Sequence, residues 1–546
     1  MGRFQRFLND LELKELHLNG RLFTWSNERL HPTLERIDRC FVSVDWEHIF
    51  PRCSLGALAT RCSDHAPLLL QLDDGFHPKR RFRFEAIWAK FEGLLEAVEE
   101  VWSGPRPELD ALGTIDWLLR QTAKSLKRWS ARAVGSIRSQ IQVAKEVIFR
   151  LESAQDRRSL TQAEASLRKF LKIRFLGLTS LERTIARQRS SMRWLHEGDA
   201  NTRFFHLHAN HRRRKNHILS LEVGGTTMVG EVEKAEAAFI YFDNILGTSK
   251  ERSRALDFRS LGLPQLDLAR LAYPFTEAEI WDVIKELPQD KAPGPDGFTG
   301  RFYKLAWPII KGDIIRAFDV LSAMDYRSFH HLNEALLTLL PKTVDPHCLG
   351  DYRPISLIHS FGKIFSKAMA NRFAPYLPQL ISANQSAFIK GRHIQDNFRY
   401  VQGVAKTLSV RRRPRVLFKI DLAKAFDSVN WVFLIELLTA VGCPRRWTNW
   451  ISVLLSTAST KVLMNGVPGR RICHGHGLRQ GDPLSPMLFV LVMECFNKLL
   501  DKAESRGLFA PLGRHVKFRT SLYADDVVVF LTPVHRDLAV MSAILS

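Results

Sequence analysis

Ser521-Leu522-Tyr523-Ala524-Asp525-Asp526-Val527-Val528-Val529-Phe530 decides the reading of this chain. Two apolar, β-prone arms flank two adjacent carboxylates. That pattern predicts strand, tight turn, strand, with Asp525 and Asp526 at the turn. Asp is a favoured turn residue, so an Asp-rich hairpin is one reading. The other is a cation site. Two neighbouring carboxylates between buried strands repel each other and resist desolvation, and a bound cation removes that cost.

A third carboxylate stands upstream. Val416-Leu417-Phe418-Lys419-Ile420-Asp421 is an apolar strand that ends in an acid, and Ala423-Lys424-Ala425-Phe426-Asp427 then turns into a helix from Trp431 to Leu438. A strand-end carboxylate beside a hairpin carrying two more is the arrangement that holds a pair of Mg²⁺ ions, which take a few carboxylates plus phosphate and water oxygens. Two such ions activate a 3′-hydroxyl and stabilise a leaving pyrophosphate. Asp421 and Asp525 are 104 residues apart, so only a folded sheet brings them together.

Between them lies Gly475-His476-Gly477-Leu478-Arg479-Gln480-Gly481-Asp482-Pro483-Leu484-Ser485-Pro486. Asp482 is expected to cap the following helix with Pro483 at its first position. Arg479-Gln480-Gly481 reads as a polar turn suited to nucleotide or template contact. Further upstream, Thr276 and Glu279 form a capping box for a helix to Leu287. The loop Pro288-Gln289-Asp290-Lys291-Ala292-Pro293-Gly294-Pro295-Asp296-Gly297 follows, an irregular turn whose backbone could approach phosphates. A helical span is expected to about Leu340, then Pro341-Lys342. Asp351-Tyr352-Arg353-Pro354 places an Arg at a Pro-fixed bend, open to a phosphate contact or a structural ion pair.

The 546 residues carry a net charge of +22, which points to a polyanionic partner, nucleic acid first. Between residues 121 and 220 there are 22 Lys and Arg against seven Asp and Glu, an excess of 15 within that total. Residues 76–271 read as a helical basic linker. Its densest part runs from Ser191 to His206, aromatics mixed with cations, and on into Arg212-Arg213-Arg214-Lys215, expected to hold phosphates while aromatics stack on bases. Residues 1–75 read as short strands and loops, with Arg36-Ile37-Asp38-Arg39 and Ser63-Asp64-His65-Ala66-Pro67. The seven Cys form no C-x-x-C pair, so neither a zinc site nor a disulfide framework is expected. No apolar run is long enough for a bilayer, which predicts a soluble, intracellular chain.

The ordered set Lys-Ala-Pro-Gly-Pro-Asp-Gly, Tyr-Arg-Pro-Ile-Ser-Leu, Asn384-Gln385-Ser386-Ala387-Phe388 with Gly391-Arg392, Asp-Leu-x-Lys-Ala-Phe-Asp, Gly-Leu-Arg-Gln-Gly-Asp-Pro-Leu-Ser-Pro and Tyr-Ala-Asp-Asp resembles the reverse transcriptase of LINE-type, non-LTR retrotransposons, notably the plant kind. The resemblance implies an α+β fold with right-hand polymerase fingers and an antiparallel palm sheet over residues 272–546. It implies RNA-directed DNA synthesis on an RNA template and DNA primer from dNTPs. Asp421, Asp525 and Asp526 would bind two Mg²⁺ ions, with Mn²⁺ as an alternative. Phe426 would lie under the incoming sugar and exclude a 2′-hydroxyl, Gln480 and Gly481 would contact nucleotide and template, and Lys342 and Arg353 would face the triphosphate. Asp427 is expected to be structural. The implied setting is nuclear at the site of action and cytoplasmic as a ribonucleoprotein.

Residues 191–206 also resemble the linker of plant-type LINE proteins. Phe-Thr-Trp, Arg-x-Ile-Asp-Arg and Ser-Asp-His-x-Pro resemble the C-terminal part of the endonuclease/exonuclease/phosphatase domain, an α/β sandwich, with Thr24, Asp38, Asp64 and His65 at its site. That domain's upstream metal-binding Glu is not in the chain, so no DNA cleavage is expected. Sixteen residues follow Phe530 and no thumb is recognised, so the expected polymerase is weak or inactive. The alternatives are a relic that only binds nucleic acid, and a group II intron-type maturase. Maturases carry any nuclease after the polymerase, which disfavours that reading.

Overall fold

The computed structural model describes residues 2–11, 13–19, 21–27, 33–50, 53–57, 63–72, 81–190, 215–248, 252, 254–343, 345–410, 414–513 and 516–545. The fold mixes helices with small, mostly antiparallel sheets. At the N-terminus lie β1 (Leu13–Glu15), β2 (Leu18–Asn19), β3 (Trp25–Ser26), β4 (Leu34–Glu35), β5 (Phe41–Ser43), β6 (Ser54–Ala57) and β7 (Leu68–Gln71). They pair as β1-β5, β3-β4 and β2-β6-β7 around a small core of Leu16, Leu18, Val42, Cys53 and Leu55.

Long helices follow, Ala111–Ala133, Ile137–Gln155 and Gln162–Ser190, then the hairpin of β8 (Leu221–Val223) and β9 (Thr226–Met228) and the helix Glu231–Leu246. The capping box at Thr276 and Glu279 starts the helix Glu277–Glu286 as the sequence predicts. The main apolar core runs from Phe84 to Met541 and includes Ile115, Leu119 and Leu126 beside Phe302, Phe318 and Phe365, so it is continuous across residue 271.

Two sheets organise the C-terminal part. The first has the order β11-β10-β13-β14, from β10 (Glu334–Pro341), β11 (Tyr352–Ile358), β13 (Ser459–Met464) and β14 (Val467–Cys473). The helical span expected to Leu340 is corrected here: the helix Gly300–Ser322 stops, and Glu334–Pro341 is extended. β10 is an interior strand, antiparallel to β11 and parallel to β13, and a strand buried between neighbours favours the near-continuous apolar run Ala335 to Leu340.

The second sheet has the order β12-β16-β15, all antiparallel, from β12 (Val416–Asp421), β15 (Thr520–Tyr523) and β16 (Asp526–Leu531). β12 alternates, with Leu417, Lys419 and Asp421 exposed and Val416, Phe418 and Ile420 facing the core. β16 is central and covered on both faces: Val527, Val529 and Leu531 enter the main core, while Phe530 packs with Val404, Leu408 and Leu512. That double cover explains its unbroken apolar sequence. Among the described residues no helix is long and apolar enough to cross a membrane.

Candidate functional site

The geometry of the β15–β16 hairpin follows from its register. Asp421 lies directly opposite Asp526, and Tyr523 opposite Asp526 on the other side, so these three residues share one face of the sheet. The two-residue turn is Ala524-Asp525, which places Asp526 on the first position of β16 rather than in the turn. Ala524 has φ of 55°, a conformation that costs a non-glycine residue about 1 kcal/mol or more.

The strained turn is held from a distant loop. Gln385 Oε1 accepts from Ala524 N at 3.1 Å and Ala387 N at 3.0 Å. The adjoining main chain pairs with β15: Leu522 N donates to Asn384 O at 2.9 Å and Ser386 N to Leu522 O at 3.3 Å. Asn384 Nδ2 donates to Thr520 Oγ1 at 2.6 Å and Asn497 Oδ1 at 2.8 Å. Asn397 Nδ2 reaches Ser521 Oγ and Leu522 O, both at 2.9 Å. Arg392 gathers the carbonyls of Pro378, Ile381, Ser382 and Gln385. Asn384, Gln385 and Arg392 carry no role in the sequence reading beyond their motif; the structure makes them the brace of the carboxylate turn. The available signal was a run of polar residues, Asn384-Gln385-Ser386, set between apolar neighbours.

Asp421 and Asp526 are exposed and Asp525 is half-buried. Lys419 Nζ sits 3.3 Å from Asp526 Oδ1. Among the described residues no three His, Cys, Asp or Glu side chains converge closely enough to hold a metal ion. Asp421, Asp525 and Asp526 nevertheless lie at one end of one sheet and offer carboxylate oxygens, the donors a hard divalent cation takes.

Phe426 stacks on Phe489 with centroids 4.2 Å apart at 17°. Its carbonyl accepts Leu478 N at 2.8 Å, and Trp431 Nε1 donates to Gly477 O at 2.7 Å, so the two motifs are laced together. A Cβ on Gly477 would lie 2.7 Å from Asp427 O. Burial pushes the Asp427 carboxyl up to about 6 against the pull of Lys424 and Lys342. Lys342 Nζ also donates to Gly350 O at 2.9 Å. Arg353 is exposed on β11 opposite Leu340. Gln480 O accepts Ser356 N at 2.9 Å. Gly481 has φ of 110°, and a Cβ there would meet Ser356 O at 2.7 Å.

Arg479 differs from the expectation of a contact turn. It is buried and donates to Asn333 O at 2.9 Å and Asn333 Oδ1 at 2.6 Å; Asn333 immediately precedes β10, and its carbonyl also accepts Ser459 N at the start of β13. Asp482 accepts from Ser366 Oγ, Leu484 N and Ser485 N, capping one turn before the helix Ser485–Ser505. The Gly294 loop likewise meets protein: a Cβ on Gly294 would strike Ile358 O at 2.2 Å, and Asp296 accepts from Ser360 N.

Near the N-terminus three of the four sequence-predicted residues, Thr24, Asp38 and His65, are joined by hydrogen bonds. His65 Nδ1 lies 2.9 Å from Asp38 Oδ2, and Asp38 N donates to Thr24 Oγ1 at 3.0 Å. Asp64 accepts from Trp25 Nε1 at 2.7 Å, so the carboxylate that orients the imidazole is Asp38. The hydrogen bonds from His65 and Thr24 lower the Asp38 pKa, and Asp38 raises that of His65. Arg212, Arg213 and Arg214 lie outside the described residues; Lys215 is exposed.

Residues 340–545, which take in the second sheet with its hairpin and the first sheet apart from most of β10, match the family model described as reverse transcriptase (RNA-dependent DNA polymerase). This part of the chain carries a reverse transcriptase domain. The chain is similar to an uncharacterized 149 kDa protein of transposon TX1 from Xenopus laevis, 26% identical over 515 residues, 91% of this chain and 38% of that protein. It is similar to a Pol polyprotein from a type-1 retrotransposable element R2 of Nasonia vitripennis, 29% identical over 45% of this chain and 23% of that protein. A probable RNA-directed DNA polymerase from transposon X-element of Drosophila melanogaster is 23% identical over 80% of this chain and 50% of that protein. The chain therefore spans half or less of the length of these relatives. The solved RNA-dependent RNA polymerase of bacteriophage phi12 matches with a TM-score of 0.30 at 11% identity over 60% of this chain and 64% of that one.

Proposed function

We propose that this chain acts as an RNA-directed DNA polymerase, adding dNTPs to a DNA primer on an RNA template at the rim of the palm sheet. The observation that carries the reading is the register that sets Asp421 across from Asp526, one residue from Asp525. These three carboxylates would hold two Mg²⁺ ions, or Mn²⁺. Bound there, such ions lower the pKa of the primer 3′-hydroxyl and neutralise the charge of the leaving pyrophosphate.

The protein's own groups do the rest. The Phe426 ring, fixed on Phe489, shapes the floor under the sugar and disfavours a 2′-hydroxyl. Lys342 and Arg353 supply positive charge for the triphosphate. Gln480 and Gly481, tied to β11, line the nucleotide and template side. Lys419 must release Asp526 when cations arrive, because the two compete for one carboxylate. The basic segment including Arg212, Arg213, Arg214 and Lys215 would bind RNA. The grouping of Thr24, Asp38, Asp64 and His65 supports reading residues 1–75 as part of an endonuclease/exonuclease/phosphatase-type domain. The setting this implies is nuclear, at a chromosomal primer end. The Lys419–Asp526 pair is what favours a second reading, a chain that binds nucleic acid without synthesis.

Primer extension on a defined RNA template with Mg²⁺ tests the proposal. Extension should require the metal, stop with EDTA and vanish in Asp525→Asn while primer–template binding persists. Extension that survives Asp525→Asn would sink it, and binding without extension in the unmodified chain would establish the second reading.

A further inference from the structure

The helix Glu231–Leu246 lies upstream of the stretch matched to the reverse transcriptase family, yet it forms part of the wall where Lys342, Lys424 and Asp427 meet. Its apolar face, Ala238, Phe242 and Leu246, is buried against Leu337, Leu339, Tyr352 and Val462 of the first sheet. Leu246 O accepts Gly475 N at 2.7 Å, which joins the helix end to the start of the Gly475–Pro486 motif. The same helix packs against the Phe426–Ser428 turn.

Tyr241 is the residue this packing aims at the site. Lys424 Nζ stands 4.9 Å from the centroid of its ring. The phenol oxygen would be 3.8 Å from a Cβ on Gly350, whose carbonyl holds Lys342 Nζ at 2.9 Å. Lys424 has φ of 52°, a left-handed conformation that its surroundings must maintain. Lys424 and Lys342 both lie near enough to Asp427 to pull its pKa down against burial. Two cations from different elements are therefore fixed beside the Phe426 turn, one by a carbonyl and one by an aromatic face.

We propose that Tyr241 is a positioning residue of the nucleotide site: its ring holds the Lys424 ammonium beside Lys342, so that the two together receive the triphosphate of an incoming dNTP. The inference rests on the polymerase reading above and adds to it a residue outside the matched domain. An ammonium over an aromatic face gains electrostatic stabilisation that a flexible, hydrated lysine lacks. Without the ring, Lys424 must be ordered by the nucleotide itself, which weakens nucleotide binding and leaves chemistry and primer binding alone.

The test uses the full chain with an RNA template and DNA primer. Tyr241→Leu should raise KM for dNTP by about 3- to 30-fold with kcat and primer–template Kd unchanged. Tyr241→Phe, which keeps the ring, should match the unmodified chain. Lys424→Met should raise KM similarly, and the double variant Tyr241→Leu/Lys424→Met should be no worse than either single one, because Tyr241 acts through Lys424. Additive losses, a fall in kcat, or weakened primer–template binding would assign Tyr241 a merely structural role and overturn the inference. An equilibrium arm separates it from the polymerase reading: dNTP-dependent retention of a chain-terminated primer–template, read by gel shift, needs no turnover. Retention that Tyr241→Leu weakens, in a chain that never extends primers, would overturn the polymerase reading alone. Retention that is absent, or indifferent to Tyr241→Leu, would overturn this inference alone if extension proceeds.

Discussion

Replacing Gln385 by Met keeps the bulk of the side chain and removes its carbonyl. Gln385 Oε1 is the acceptor for Ala524 N at 3.1 Å and Ala387 N at 3.0 Å, and both alanines are buried. Each orphaned N–H costs about 1–3 kcal/mol. Gln385 Nε2 finds no acceptor among the described residues, so little is lost on the amide's other side. We therefore expect a loss of about 3 kcal/mol, concentrated at the turn that carries Asp525. Because a chain of this size need not unfold in one step, the measurement should be local. Amide hydrogen exchange of a peptide covering residues 520–531 should accelerate by about 100-fold, the equivalent of about 3 kcal/mol in local opening.

A second substitution makes the reasoning sharper. Ala524→Gly removes the penalty for a φ of 55° and should slow exchange at the same peptide by up to about tenfold, since the left-handed conformation costs an alanine about 1 kcal/mol. In the Gln385→Met background it should recover the same increment. Wild-type exchange at the turn in Gln385→Met would refute the assignment of Gln385 as its brace. So would acceleration spread evenly over the chain.

Two further outcomes are expected. Gly481→Ala must fit a Cβ 2.7 Å from Ser356 O at a φ of 110°, and should destabilise by about 2–4 kcal/mol in thermal scans, whereas Gly391→Ala, at φ of 82° with open space around it, should cost about 1 kcal/mol; equal costs would refute the close approach to β11. Asp427→Asn tests burial at the motif turn. The folded carboxyl titrates at about 6 against an ordinary 3.8, so between those values the native chain keeps a proton that the unfolded chain has released. Stability falls as pH rises through that window, by about 3 kcal/mol. The asparagine variant escapes this loss, so its advantage in thermal midpoint should be small near pH 4 and grow towards pH 7.5; a pH-independent difference would contradict it.

What the sequence made legible was whatever its local pattern specifies. The arms around Asp525 alternate or stay apolar according to how many faces are covered, and a two-residue turn is a local event, so the hairpin could be read directly. The set of Thr24, Asp38, Asp64 and His65 came from motif resemblance; hydrogen bonds link the first two and His65, while Asp64 bonds Trp25 instead. β10 was missed because a run such as Ala335 to Leu340 has no period of its own; only its burial between β11 and β13 makes it a strand. Arg479 was misread for the same reason in reverse. A charged residue in a polar turn looks like a ligand contact until its buried partner, Asn333, 146 positions away, is known.

These cases share a cause that bears on function. Within one motif the structure separates a residue left accessible from residues that fix the backbone: Gln480 remains half-exposed while Arg479 and Asp482 are buried in polar contacts. The polar contacts at Arg479 tie the motif to the β10–β13 junction, and those at Gln385 tie the hairpin to a loop 139 residues earlier. The turn that carries Asp525 therefore depends on a long-range brace that touches none of the three carboxylates. Weakening a brace should loosen the geometry of the site before it unfolds the chain, because the hairpin's apolar arms stay buried in the main core when the turn is freed. A Gln385→Met chain with near-normal global melting and impaired extension is the behaviour this arrangement requires, and a proportional loss of both would mean that turn and core form one cooperative unit.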